Sequence, residues 1–108
     1  MEPREIIKYC ECLAELILFS EGQATEAVKL GIVTQLVKHL ASNDEDMLYA
    51  VLITLLSIQR RTTVYVIGEL EQILIARHVF FFFHHRSKVR ETAALLRLCI
   101  LFVDNRVL

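Results

Sequence analysis

The chain repeats itself at a spacing of 37 residues, and that one feature limits its fold more than any motif does. In this register Leu30-Gly31 falls on Ile67-Gly68, Val33 on Leu70, Gln35 on Gln72, and Leu36-Val37 on Ile73-Leu74. Upstream, Leu18-Phe19-Ser20 falls on Leu55-Leu56-Ser57. Self-similarity at such a period marks an architecture in which each unit covers its apolar face with the next.

The period has to be filled with helix. One Pro and three Gly in 108 residues leave little to interrupt regular structure. From Arg4 to Phe19 a polar stripe of Arg4, Lys8, Glu11 and Glu15 opposes apolar Ile6, Tyr9, Cys10, Leu13, Leu16 and Ile17. Gly22 breaks that helix. A short helix over Thr25–Leu30, ended by Gly31, and another over Ile32–Leu40 follow. Ser42-Asn43-Asp44-Glu45-Asp46 supplies caps and negative charge for a helix over about Asp46–Ile58 that is apolar nearly all round. Arg60-Arg61-Thr62-Thr63 reads as the next break. A second short helix ends near Gly68, Glu69–Val79 pairs with it, and Ser87 caps a last helix reaching about Val103.

The order short helix, Gly, medium helix, polar turn, long apolar helix resembles the armadillo repeat. The residues that carry the resemblance are Gly31-Ile32-Val33, Leu36-Val37 and Leu40, then Ser42-Asn43-Asp44, then Ala50 with Leu55-Leu56. It implies an all-α chain, a right-handed helical solenoid of about two and a half repeats forming a single domain over 1–108. Residues 1–21 would be the last helix of a partial repeat, 22–58 one full repeat, and 59–108 a second with an insertion near 79–85. An unrelated small helical bundle is the competing architecture.

The insertion contains Phe80, Phe81, Phe82 and Phe83, which cannot share one helical face at about 100° per residue. Three uses are open: aromatics that fill the gap between units, an apolar loop that docks a partner, or contact with a membrane interface. The first is favoured and membrane contact ranks last.

The resemblance also locates a partner site, because long third helices line the peptide groove of armadillo proteins. The asparagine ladder of the import receptors and catenins is missing: Leu55 and Leu98 stand near those places, and the two asparagines are Asn43 and Asn105. Arg86, Arg90 and Arg97 instead fall within about 40° of one another on the last helix. Such a row suits an acidic or phosphorylated protein segment, or serves as a solvated face whose stems cover apolar surface. In the long helix before it, Met47 aligns with Arg90 and Thr54 with Arg97, so these two complete the expected partner surface.

Other chemistry finds little footing. There is no Gly-x-Ser-x-Gly, phosphate-cradling glycine loop or His-Glu-x-x-His, so the chain reads as a non-enzymatic interaction or scaffold module needing no cofactor. Glu11 and Glu15 share a solvated stripe, and His39 and His78 are isolated. Cys10 and Cys12 with His84 and His85 have the wrong spacing for zinc, since residues two apart on a helix diverge. A net charge of −1 with few basic residues argues against nucleic acid. Odd, apolar-flanked cysteines, no signal-like start and no spanning run place the expectation inside the cell, in cytoplasm or nucleus. The alternative reading is an assembly fragment or short form of a longer repeat protein, self-associating through an apolar end face.

Overall fold

The computed structural model describes residues 2–20, 22–61, 73 and 76–107, and for 78, 79 and 99–107 the backbone alone. All regular structure among the described residues is helical. Helix α1 spans Pro3–Phe19, with Pro at its first position, where no amide donor is required. It buries Ile6, Cys10, Leu13 and Ile17, a stripe at helical spacing. Gly22 (φ +90°) then turns the chain into α2, Gln23–Lys29, and Gly31 (φ +77°) turns it into α3, Ile32–Lys38. Both glycines hold left-handed conformations that an L side chain resists. A Cβ on Gly31 would meet nothing within 4 Å, so its requirement is purely one of backbone conformation.

A 3₁₀ turn over His39–Ala41 leads to the polar punctuation. Asp44 Oδ1 accepts the Met47 amide proton at 2.9 Å, and Ser42 Oγ accepts that of Asp44 at 3.0 Å. The predicted cap is therefore made by Asp44. Helix α4, Glu45–Arg61, begins with Glu45 and Asp46 and ends with Arg60 and Arg61, each pair at the helix pole that favours its charge. Ten of its seventeen residues are buried, which makes it the central helix. Helix α1 packs on one side of it and α6, Ser87–Val107, on the other, while α2, α3 and the 3₁₀ turn close a further side. The short α5, His78–Phe82, packs on α6.

Three sequence expectations shift. Arg60 and Arg61 form the last turn of α4 rather than a break, and Thr62-Thr63 lie outside the described residues. Ser87 is already inside α6: the Arg86 carbonyl accepts the Arg90 amide proton at 3.2 Å, so Arg86 holds the capping place. That helix also runs on to Val107. The helix ending near Gly68 and most of Glu69–Val79 lie outside the described residues.

The phenylalanine run is divided by its own geometry. Phe81 is fully buried, Phe80 and Phe82 pack against the core, and Phe83 is 74% exposed. An intact docking loop of four phenylalanines is thus excluded, because Phe81 fills the core beside α6. The radius of gyration, 13.0 Å, is what an ordinary globular chain of this length shows (about 13 Å). No described helix is long and apolar enough to cross a membrane.

Candidate interaction face

Where α1, α4 and α6 lie side by side, α4 shows a narrow outward stripe between its buried faces. Asp46, Tyr49, Ile53, Ser57 and Arg60 recur every three or four residues along it. On the α1 side of this stripe is an open cleft of about 580 Å³. Ile7, Ala14, Tyr49 and Ile53 give it apolar walls, and Glu11, Glu15 and Asp46 give it an acidic rim. On the α6 side is a second cleft, of about 350 Å³, lined by Asp46, Tyr49, Arg86, Lys88 and Val89. Tyr49 and Asp46 belong to both clefts, so the tyrosine ring is the ridge between them. The Lys88 ammonium lies 5.7 Å from that ring's centre, within cation–π range.

Thr54 and Met47, expected on the partner surface, are buried at 0% and 4% exposure. The reason is that α1 covers that side of α4. The Thr54 hydroxyl lies 2.8 Å from the Ala50 carbonyl and 3.3 Å from the Cys10 carbonyl, joining the two helices beneath the first cleft. Burial raises the Cys10 thiol pKa, with the Thr54 contact working against it and Glu11 adding to it, so the thiol stays protonated.

The arginine row is not an open row either. Arg86 forks between Glu45 (Nε to Oε2, 3.2 Å) and Asp46 (Nη1 to Oδ1, 2.8 Å), and the Asp46 hydrogen bond raises its pKa. Arg90 donates from Nη1 to the His84 carbonyl at 2.7 Å, clamping the turn before α6. Arg97 is half-buried and has an interaction of its own. Arg86 thus fastens the start of α6 to the start of α4, and Arg90 holds the turn before α6.

The same junction gathers the groups best placed for a cation: ligand atoms of Glu45, His84 and His85 lie within 4.8 Å of one another. Cys10 and Cys12 have no part in this group. Glu45 Oε1 already contacts His85 Nε2, its other oxygen holds Arg86, and His84 Nδ1 accepts the Arg86 amide proton at 3.1 Å. A divalent ion would displace those contacts and meet a guanidinium. Burial lowers the His84 pKa, and His85, Arg86 and Arg90 add to the effect against the pull of Glu45. The group therefore works as a clasp between α4 and α6.

Sequence reasoning passed over Arg77. Its Nη1 donates to the carbonyls of Leu40 and Ser42 (the latter at 3.1 Å), and its Nη2 to Asn43 Oδ1 at 2.9 Å. It also lies over the Phe80 ring, 3.8 Å from the centre. The one signal available was a cation set inside an apolar run, which needs a partner.

No family model, curated protein or solved structure matches this chain.

Proposed function

We propose that this chain is a non-enzymatic protein-interaction module, built of armadillo-like helical repeats, that holds a partner segment across α1, α4 and α6. The observation that carries the reading is the pair of clefts sharing Tyr49 and Asp46. Side chains of one extended or helical segment would enter both, astride the Tyr49 ring. An aromatic ridge flanked by apolar walls is the kind of anchor that concentrates binding energy.

The electrostatics alter the ligand anticipated from the sequence. Arg86 and Arg90 are committed to Glu45, Asp46 and the His84 carbonyl, whereas Glu11 and Glu15 rim the larger cleft. The segment that fits carries apolar residues interleaved with Lys or Arg, rather than acidic or phosphorylated ones. Selection from a random-peptide display library tests this. Peptides combining basic and apolar residues, bound by the native chain and lost on Ile53→Glu, support the reading. Acidic peptides, or peptides indifferent to Ile53→Glu, overturn it.

A further inference from the structure

On the side of α1 away from the interaction face, Tyr9, Cys12, Leu16 and Phe19 form an exposed stripe at spacings of three, four and three. That is the seam of a helix that packs lengthwise on another helix. Leu16 is 56% exposed and Phe19 83%, yet Leu56, one period after Phe19, is 2% exposed. The position that the central unit covers is bare on α1. Beside the stripe, Tyr9 borders an apolar groove of about 450 Å³ that also includes Leu30 and Ile32.

We infer that this face binds a second copy of the chain, with the two α1 helices antiparallel about a two-fold axis. The argument for a copy is charge. Lys8 and Glu15, the latter also on the rim of the first cleft, are exposed, lie seven residues apart on the flank of the stripe nearer the interaction face, and make no ion pair among the described residues. Under a two-fold axis midway between them, Lys8 of each copy faces Glu15 of the other, and the pair forms twice. The same register sets Leu16 of one copy level with residue 7 of the other, beside Tyr9 and the groove it borders. A parallel arrangement would put this flank of the two copies on opposite sides of the seam, and the Lys8–Glu15 pair would not form. Exposed ion pairs contribute modestly, so they fix register and orientation while Tyr9, Leu16 and Phe19 supply the burial.

Sedimentation equilibrium from about 1 to about 200 µM, the range in which modest interfaces dissociate, reads the association directly. The native chain is expected to move from monomer to dimer and stop there. Leu16→Glu is expected to remain monomeric with an unchanged melting curve, since its side chain lies outside the core. Lys8→Glu is expected to weaken the dimer by about tenfold, and the double change Lys8→Glu with Glu15→Lys to restore it. A chain monomeric throughout, an open-ended series of oligomers, a dimer indifferent to Leu16→Glu, or a double swap that fails to restore association would each overturn the proposal. Monomeric behaviour would leave the stripe to another kind of helical segment.

Discussion

Arg77 donates a hydrogen bond to the carbonyl of Leu40, the residue one 37-position period before it. This contact joins two places that the 37-residue spacing of the sequence makes equivalent. The same guanidinium reaches Ser42, Asn43 and the Phe80 ring, so one side chain fixes the turn before α4 to the aromatic segment before α6. Its planar fork matters: a lysine would keep the charge and lose the geometry. Arg77→Ala is expected to cost about 2–3 kcal/mol and to lower the melting temperature by about 10 °C, with Arg77→Lys in between. Calorimetric melting of the three chains checks this order.

The phenylalanine run separates into opposite behaviours. Phe81→Ala removes a ring with 0% exposure and should cost about 3–5 kcal/mol, enough to unfold a marginal domain. Phe83→Ser, at 74% exposure, should change stability by no more than about 0.5 kcal/mol. Denaturant titration of the two variants reads the difference. Equal losses would contradict the burial pattern.

The thiols of α1 differ by environment alone. Cys10 is buried and its pKa is raised by burial, whereas Cys12 is exposed. Alkylation of a Cys99→Ser background at mildly alkaline pH should modify Cys12 quickly and Cys10 only on unfolding. Peptide mass mapping reports which thiol has reacted.

The clasp predicts a pH dependence with a definite sign. His84 is held below its ordinary pKa by burial and by His85, Arg86 and Arg90. The unfolded chain therefore takes up this proton first, near pH 6.5, and stability falls as pH drops through that value. Above it the contribution is fully present. Melting temperature should decline from about pH 7 to about pH 5.5, and less steeply in His84→Asn, whose Oδ1 can still accept the Arg86 amide proton. Equal slopes would remove His84 from the explanation.

How far the sequence was readable follows from which interactions are local. Helical periodicity and glycine turns act within a few residues, so α1, both glycine breaks, a cap somewhere in Ser42–Asp46 and the central burial of α4 were visible before the structure, which assigns the cap to Asp44. Side-chain commitments across long separations were not. Arg86 appeared available because Glu45 and Asp46 are about forty positions away; Thr54 and Met47 appeared presentable because nothing local says that α1 lies over them. Arg77 is the extreme case: an interruption in sequence, a fastening point in space. The pair of clefts was likewise invisible, since it depends on three helices meeting along Tyr49.

The central claim is that a partner segment lies across α4 at Tyr49. Amide chemical-shift mapping of a display-selected peptide on the uniformly labelled chain tests it most directly. The account predicts shifts concentrated at Ile7, Glu11, Asp46, Tyr49, Ile53 and Lys88, all abolished by Ile53→Glu. Shifts centred on the α1 stripe of Tyr9, Leu16 and Phe19 or on the α5–α6 turn, with Tyr49 unmoved, would contradict it.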